Sequence, residues 1–247
     1  MKINAIVQAR MGSTRLPGKV LMDLGGETVL ARVLRRLGRA SRIHEVVVAT
    51  TDTARDDAIE NECARLHISC FRGSEHNVLD RYLRAAEQFR SDLIVRVTAD
   101  CPLIDPELVD EVVAACITGQ VDLSCNDVPH TFPRGLDVEA FTIETLRRIH
   151  HMADQPYQRE HVTLLAYERP DIFRTYLVKG DRHVSHLRWT VDTLEDLQLT
   201  RAIYAHFENR DDFGWHEALE LVESHPGLLQ INAHITQKPV TEIANVS

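Results

Sequence analysis

The sequence contains few of the features that mark an extracellular or membrane-bound protein. It has five cysteines, an odd number, and no Cys-x-x-Cys pair, which is typical of reduced thiols in a cytoplasmic protein. Residues 1–10 lack the pattern of a signal peptide, and no apolar run approaches the length of a membrane span. We therefore expect a soluble cytoplasmic protein without a membrane partner.

Acidic residues outnumber basic ones, with 37 Asp and Glu against 28 Lys and Arg. The formal net charge is −9, which argues against a nucleic-acid partner because non-specific binding to nucleic acid needs a basic face. The thirteen histidines show no metal-ligand spacing such as His-Glu-x-x-His, so a zinc site is not expected. Against this acidic background, the first 22 residues contain no carboxylate, and the positive potential that results would suit an anionic ligand.

Apolar runs alternate with segments of helical periodicity along most of the chain. This alternation predicts an α/β fold with a mostly parallel, Rossmann-like sheet flanked by helices, within one domain that spans residues 1–247. The predicted strands are 3–7, 45–50, 68–71, 93–98, 135–141, 172–179 and 187–191. The predicted helices are 28–37, 54–66, 78–89, one that begins at Pro106 with Asp105 as its cap, 143–151, 157–168, 194–207 and 215–223.

The alternation breaks between residues 127 and 179. We interpret this segment as a smaller α+β lobe, inserted into the domain, that covers the site and supplies either acceptor contacts or a dimer surface. The tail after Pro226 has little pattern, and we predict that it is mobile.

The loop that follows the first strand is the most distinctive stretch of the chain. It carries three cations, Arg10, Arg15 and Lys19, and its glycines allow tight curvature. Such a loop suits a polyphosphate, because backbone N–H groups and guanidinium groups both donate to phosphate oxygens. It is not a Walker loop, since five residues separate Gly12 from Gly18 and valine follows the lysine. Its composition alone would equally fit an ordinary basic loop between a strand and a helix.

Two aspartates end predicted strands. Asp100 follows the strand 93–98, and Asp192 follows 187–191. Ligands of open α/β sheets bind at the carboxyl ends of the strands, and two carboxylates in one crevice suit Mg²⁺. Each residue also has a purely local interpretation, Asp100 as a turn residue before Cys101-Pro102 and Asp192 as a carboxylate at a helix terminus.

The whole string Ala9-Arg-Met-Gly-Ser-Thr-Arg-Leu-Pro-Gly-Lys-Val-Leu21 closely resembles the signature loop of the cytidylyltransferases that make CMP-activated sugars. The similarity is to the CMP-KDO and acylneuraminate enzymes and especially to the branch of spore-coat polysaccharide biosynthesis. The segments around Asp100 and Asp192 resemble the family's Gly-Asp-x-Pro-Leu and Val-Asp-Thr-x-Glu-Asp-Leu elements. The resemblance covers about residues 3–210 and implies a fold of the nucleotide-diphospho-sugar transferase type.

The resemblance also implies roles for individual residues. Arg15, Lys19, Asp100 and Asp192 would be catalytic, and the two aspartates would hold Mg²⁺. Gly73 and Ser74 occupy the place of a family string, Ser-Gly-Thr-Asp-Arg, near the cytosine and ribose, whereas we predict that Asp80-Arg81 is a solvated helix pair. The full set of implied nucleotide-binding residues is Ala9, Arg10, Met11, Gly12, Ser13, Arg15, Lys19, Gly73, Ser74 and Asp100.

Residues 132–139 and 158–163 look like elements of the spore-coat branch and would bind the acceptor. Arg134 and Arg159 could hold an anionic group with both arms of the guanidinium, and His161 could act as a base. The full implied acceptor set is Arg134, Asp137, Glu139, Arg159 and His161. Surface charge and an internal salt bridge are the alternative interpretations. Cys101 and the Asp137-Val138-Glu139 string depart from the CMP-KDO synthetase pattern, so we expect an acceptor other than KDO.

The resulting hypothesis is a Mg²⁺-dependent cytidylyltransferase, a homodimer through the 127–179 lobe, that transfers CMP from CTP to a sugar or sugar-acid-like acceptor. One alternative is a glycosyltransferase of the related fold, but such enzymes commonly carry Asp-x-Asp, which this sequence lacks. Another alternative is a non-catalytic nucleotide sensor, and the presence of both aspartates counts against it.

Overall fold

The computed structural model describes residues 1–236, and its centre is a sheet of seven strands in the order β3-β2-β1-β4-β6-β5-β7. Strands β1 to β4 run parallel to one another, β6 runs antiparallel to both of its neighbours, and β7 is parallel to β5. The strands are β1 (Ile3–Gln8), β2 (Glu45–Thr51), β3 (Ser69–Gly73), β4 (Leu93–Thr98), β5 (Leu123–Cys125), β6 (Glu139–Thr142) and β7 (Thr175–Leu177). The predicted α/β class with a mostly parallel sheet is confirmed.

Helices cover both faces of the sheet, and several begin where the sequence carries a capping residue. The side chain of Thr28 accepts a hydrogen bond from the N–H of Ala31, and Asp105 accepts from the first turn of the helix that Pro106 begins. The helices are α1 (Val29–Leu37), α2 (Asp57–Leu66), α3 (Val78–Gln88), α4 (Pro106–Gly119), α5 (Ile143–Met152), α6 (Pro156–Glu160), α7 (Leu164–Glu168), α8 (Leu194–His206), α9 (Trp215–Ser224) and α10 (Pro226–Asn232), with 3₁₀ turns at Lys19–Leu21 and Ala54–Asp56. Within residues 1–236, none of the helices combines the length and the apolar character that crossing a membrane requires.

The core consists of two apolar layers, one on each face of the sheet. In β1, Ala5 and Val7 belong to the layer that contains α1 and α4, whereas Ile6 belongs to the layer that contains α3 and α5. Both faces of the strand are therefore buried, which explains why it is continuously apolar rather than alternating.

The segment 187–191 was predicted as a strand, and this prediction is wrong. Within the described residues its backbone makes a single isolated bridge, between Arg188 and Arg134. The N–H of Trp189 donates to the carbonyl of Arg134 at 2.7 Å, and the N–H of Val191 donates to the carbonyl of Asp100 at 2.8 Å. The N–H groups of Trp189 and Val191 thus donate to two loops instead of to a neighbouring strand.

The 127–179 lobe holds most of the other differences. The predicted strand 135–141 begins only at Glu139, the predicted strand 172–179 is limited to Thr175–Leu177, and the predicted helix 157–168 is two short helices, α6 and α7. Val162, between those helices, has a left-handed φ of 51°, which interrupts helical geometry. Strands β6 and β7 of the lobe join the central sheet, next to β5, a strand that was not predicted.

The end of the described chain also differs from expectation. Residues after Pro226 were predicted to be mobile, but Pro226–Asn232 forms α10, which packs against α8 and α9. Asn232 is buried there. The remainder of that predicted tail, residues 237–247, lies outside the described residues.

Gly135 occupies the point where the chain crosses the 187–191 segment. Its φ is +104°, and a Cβ placed on it would lie 2.5 Å from the backbone nitrogen of Thr190. We expect Gly135→Ala to lower the free energy of unfolding by about 1–3 kcal/mol from backbone strain alone, with the close contact adding to the loss. Urea unfolding measures this loss, and Gly227→Ala is the matched control because, in the described part of the chain, no atom beyond its chain neighbours and its own helix backbone lies within 4 Å of its Cβ position. An equal effect of both substitutions would contradict the prediction.

Candidate active site

The opening loop brings its lysine to the two aspartates. Gly18, with a left-handed φ of 71°, precedes the 3₁₀ turn that begins at Lys19. The Lys19 Nζ atom lies 2.6 Å from Asp100 Oδ2 and 2.6 Å from Asp192 Oδ1. The two carboxylate oxygens are therefore at most twice that distance apart. The structure thus brings together three residues that the sequence predicted for one site, from positions up to 173 residues apart.

Backbone contacts explain how the two aspartates meet. The bond from Val191 N–H to the carbonyl of Asp100 joins the segment that carries Asp192 directly to the end of β4. The hydroxyl of Thr98, the last residue of β4, donates to Asp100 Oδ1 at 2.5 Å. Asp100 is thus held by the last residue of β4, and the segment that carries Asp192 is held by the backbone of Asp100.

A second, buried network holds Asp192. Its Oδ2 atom lies 2.9 Å from a guanidinium nitrogen of Arg15 and 2.6 Å from one of Arg188. Arg188 also donates to Asp196 at 3.0 Å, and the side-chain amide of Asn232 donates to Asp196 at 2.9 Å. Asp196 in turn accepts from the backbone N–H of Asp192 at 3.0 Å. This network was not predicted from the sequence, although the arginine four residues before Asp192 is a local signal for it.

The charges at this site stabilise one another. Burial alone would lower the pKa of Lys19, but the carboxylates of Asp100 and then Asp192 outweigh burial and raise the pKa above its ordinary value. Burial alone would raise the pKa of Asp100, and the Lys19 ammonium reverses this, so the pKa lies below the usual range. At neutral pH the Lys19 ammonium and the Asp100 carboxylate are therefore both charged.

A cleft of about 240 Å³ opens beside these residues. Its lining includes Arg134 and Asp137. His130 lies between this pair, with Nε2 3.1 Å from the Arg134 guanidinium and Nδ1 3.5 Å from Asp137. The complete lining is Arg15, Thr98, Asp100, Cys101, Arg134, Asp137, Thr190 and Asp192. Two of the five predicted acceptor residues therefore share a cleft with three of the four catalytic candidates, Arg15, Asp100 and Asp192.

Glu139, Arg159 and His161 are not among the residues that line this cleft. Glu139 is buried in β6, where it forms an ion pair with Arg96 at 2.5 Å and accepts hydrogen bonds from Thr163 and Tyr167. Arg159 donates to the carbonyl of Ala153 at 2.6 Å. Burial lowers the pKa of His161, and its Nε2 atom is buried without a hydrogen-bond partner among residues 1–236. Their proposed contacts with an acceptor stay predictions.

The remaining nucleotide-binding candidates lie around the opening loop. The N–H of Met11 donates to Asp56 at 2.8 Å, which anchors the loop to the turn after β2, while the Arg10 side chain is exposed. Ser13 and Gly18 both donate backbone hydrogen bonds to the carbonyl of Met11. The remaining candidates at the start of the loop are Ala9, which is buried, and Gly12, whose α-carbon faces the Arg55 guanidinium.

Gly73 ends β3, and Ser74 follows it. The guanidinium of Arg81 donates to the Ser74 carbonyl at 2.7 Å, and its stem passes beneath Gly73. Arg81 is only 2% exposed, so the prediction that Asp80-Arg81 is a solvated pair is wrong for the arginine. The cause is the position of α3 against the end of β3, which a local pattern does not reveal.

Asp127 lies near Glu139 and Asp137, and this changes its ionisation. Burial, followed by the charge of Glu139 and then that of Asp137, raises the pKa of Asp127 well above its ordinary value. The folded state therefore keeps a proton that the unfolded state releases, and stability falls as the pH rises from the unfolded pKa towards the folded one. We expect Asp127→Asn to abolish this loss, which has a limiting slope of about 1.4 kcal/mol per pH unit.

Urea unfolding of the wild type and Asp127→Asn between pH 4 and pH 8 tests this expectation. The variant should gain stability relative to the wild type as the pH rises, and the difference should be smallest at pH 4. Asp171→Asn is the control, since Asp171 is exposed and paired only with Arg169 in the described ion pairs. A difference between wild type and Asp127→Asn that does not change with pH would rule out the raised pKa.

The paired aspartates provide a suitable donor set for Mg²⁺, which takes one or two carboxylates and completes its shell with phosphate oxygens and water. Within residues 1–236 no third histidine, cysteine or carboxylate joins them in a cluster able to hold a metal on its own. The remaining ligands would therefore come from a bound phosphate and solvent.

An α/β sheet with a cationic loop, paired aspartates and an open cleft at one edge is an arrangement suited to nucleotidyl transfer. Comparisons with known proteins agree: residues 4–225 match the family model described as cytidylyltransferase. The protein is a nucleotidyltransferase. It belongs to the cytidylyltransferase family.

Individual relatives support this assignment over nearly the whole chain. The spore coat polysaccharide biosynthesis protein SpsF of Bacillus subtilis is 34% identical over 236 residues, which cover 90% of this chain and 94% of SpsF. The structure of a cytidylyltransferase from Leptospira borgpetersenii is similar with a TM-score of 0.90 and 34% identity, over 97% of this chain and 100% of that one. A 3-deoxy-manno-octulosonate cytidylyltransferase of Geobacter sulfurreducens is 37% identical, but over only 46% of this chain and 45% of that protein.

Proposed function

We propose that this protein transfers CMP from CTP to a sugar or sugar-acid-like acceptor and releases pyrophosphate, in a Mg²⁺-dependent reaction that serves surface polysaccharide or glycoconjugate synthesis. The observation that carries the proposal is the contact of Lys19 with both Asp100 and Asp192 beside an open cleft. The family supports CTP as the donor, and the near-complete match to a spore coat polysaccharide biosynthesis protein supports the pathway class.

In the proposed reaction an acceptor oxygen attacks the α-phosphorus of CTP. The new bond joins that oxygen to phosphorus, and the bond from the α-phosphorus to the bridging oxygen of the β-phosphate breaks. Arg10, Arg15 and Lys19 neutralise the charge of the departing pyrophosphate, and backbone N–H groups of the loop add donors. The protein contributes mainly position and electrostatics, as in other phosphoryl-type transfers.

Asp100 and Asp192 would hold the Mg²⁺ ion, which when bound offsets negative charge that develops at the reacting phosphate. The protein fixes both carboxylates in advance. Thr98 orients Asp100, and Arg188 orients Asp192. This preorganisation avoids the cost of rearranging the site during the reaction.

Arg134 and Asp137 are the acceptor-binding residues that the geometry supports best, since both line the cleft. A guanidinium suits a carboxylate or phosphate of the acceptor, and a carboxylate suits its hydroxyl or amino groups. The similarity to the octulosonate enzyme spans less than half of each chain, whereas the similarity to SpsF spans nearly all of both. This difference supports an acceptor other than KDO.

A pyrophosphate-release assay tests the proposal. The protein is incubated with Mg²⁺, each of the four nucleoside triphosphates in turn, and a panel of sugars, sugar acids and sugar phosphates. We expect release with CTP and one acceptor class, and none when the acceptor is omitted or when Asp100→Asn replaces the wild type. Hydrolysis or transfer from a nucleotide-sugar donor, without pyrophosphate release from CTP, would instead favour a glycosyltransferase.

The homodimer through the 127–179 lobe remains part of the proposal. This lobe exposes Val128 and Tyr176, each about half accessible to solvent. We expect light scattering coupled to size exclusion to give twice the chain mass of 28.1 kDa. We expect Tyr176→Glu to shift the protein towards the monomer, since burying a charge at an interface is costly. A wild-type mass of one chain would exclude the dimer.

A further inference from the structure

The oxygens that would receive a divalent cation already accept donors from the protein itself. Lys19 contacts Asp100 Oδ2 and Asp192 Oδ1, and Thr98 contacts Asp100 Oδ1. Arg15 and Arg188 both contact Asp192 Oδ2. Each of the four carboxylate oxygens therefore has a partner before any ligand arrives.

The network is also balanced in charge. Its ion pairs join three cations, Lys19, Arg15 and Arg188, to three carboxylates, those of Asp100, Asp192 and Asp196. A divalent cation added alone would leave a surplus of two positive charges in a largely buried site. A nucleoside triphosphate carries more negative charge than the cation carries positive charge, so a cation that enters together with the nucleotide leaves no positive surplus.

The Lys19 ammonium and a Mg²⁺ ion would compete directly for the carboxylate oxygens of Asp100 and Asp192. Mg²⁺ binds oxygen at about 2.0–2.1 Å. An ammonium 2.6 Å from an oxygen of each carboxylate competes with a metal ion for the same ligands, and two cations held by the same carboxylates repel each other. The Lys19 side chain is only 10% exposed, so moving it away without a new anionic partner would leave a buried, unpaired charge.

We propose that Lys19 closes the metal site of the free enzyme, so that the divalent cation enters together with the nucleotide. The β- and γ-phosphates supply the new partner for the ammonium, and the flexible four-carbon stem of lysine allows the shift. This inference rests on the proposed function. It adds an order of binding and gives Lys19 a second role, as the residue that excludes free metal.

Mn²⁺, which also prefers oxygen ligands, is the probe, because electron paramagnetic resonance reports its free concentration. Mn²⁺ is titrated without nucleotide into the full-length wild type, Lys19→Met and Lys19→Arg. Lys179→Met is the matched control, because it removes one exposed lysine elsewhere in the chain. We expect Lys19→Met to bind Mn²⁺ at least about tenfold more tightly than the wild type. Lys19→Arg and Lys179→Met should behave like the wild type.

A second measurement uses the wild type alone and does not depend on how the variants fold. Calorimetry compares binding of the preformed Mn²⁺ complex of α,β-methylene-CTP with binding of the same nucleotide in EDTA. We expect the metal complex to bind at least about tenfold more tightly.

The possible outcomes distinguish a failure of the proposed closure by Lys19 from a failure of the proposed function. If the metal complex binds more tightly than the nucleotide alone, but Lys19→Met takes up free Mn²⁺ no better than the wild type, the role of Lys19 is overturned and the proposed function stands. Tight binding of free Mn²⁺ to the wild type would also overturn it. A third outcome is that Mn²⁺ does not strengthen nucleotide binding and that neither the wild type nor any variant binds Mn²⁺ without nucleotide. In that case the metal site of the proposed function fails as well.

Discussion

Replacing Lys19 with alanine should lower turnover by roughly 10²- to 10³-fold, the loss that follows removal of one preorganised donor at a site of developing charge. In the free enzyme the ammonium is held within 2.6 Å of both aspartates, so it is already at the site when the substrate arrives, and its flexible stem lets it pass to the phosphates. In the proposed reaction it neutralises the leaving pyrophosphate, and alanine offers nothing in its place. The effect should fall on kcat more than on the KM for CTP, because the leaving-group charge grows in the transition state.

Turnover is measured by pyrophosphate release with whichever acceptor supports the wild type. Lys179→Ala serves as the control, and thermal unfolding of each variant separates lost activity from lost structure. Removal of Lys19 also leaves Asp100 and Asp192 facing each other without their shared counter-ion, so a lower Tm is expected as well. Wild-type turnover in Lys19→Ala would show that the loop does not act on the phosphates.

The loop and the two aspartates could be predicted from the sequence because the signal for each of them is local. A cationic, glycine-bearing string after a buried strand can be read without knowledge of the rest of the fold. Asp100 stands directly after β4, and parallel strands end at one edge, so its place in a crevice follows from topology. Helix caps such as Asp105 are local for the same reason, and the predicted start of α4 is confirmed.

The contacts that hold the site together were harder to predict from the sequence, because they join segments that are distant along the chain. Asp192 reaches the crevice although its segment is no strand: the loop around Arg134 and the carbonyl of Asp100 hold it there. Likewise, Glu139 has the sequence context of an acceptor ligand, yet its carboxylate is buried against Arg96 in the neighbouring strand. Whether a charged residue lines a cleft or pairs internally depends on which strands become neighbours, and the order β4-β6-β5 was not evident from local patterns.

The same long-range dependence gives Arg188 a large expected effect on stability. Arg188 is 6% exposed and forms ion pairs with Asp192 and Asp196, the second of which is 1% exposed. Substitution of one partner in a buried ion pair leaves an uncompensated charge. We therefore expect Arg188→Ala to lower the free energy of unfolding by about 3–5 kcal/mol, measured by urea unfolding.

Two further variants test whether the loss of stability comes from the buried ion pairs of Arg188. Arg182→Ala removes an arginine whose ion pair with Glu223 is exposed, and we expect little change because solvent screens such pairs. Arg188→Lys keeps the charge but loses the planar guanidinium that spans both aspartates, so it should recover only part of the stability.

Because Arg188 acts on Asp192 rather than on the substrate, its variants should also lower kcat under conditions where they remain folded. The KM for CTP should change less, since the opening loop, which we propose binds the phosphates, is retained. If Arg188→Ala were as stable as the wild type, the buried ion pairs would contribute nothing to folding. If it were destabilised but fully active at low temperature, Asp192 would not need Arg188 for its position, and the preorganisation of the site would have to come from Lys19 and Arg15 alone.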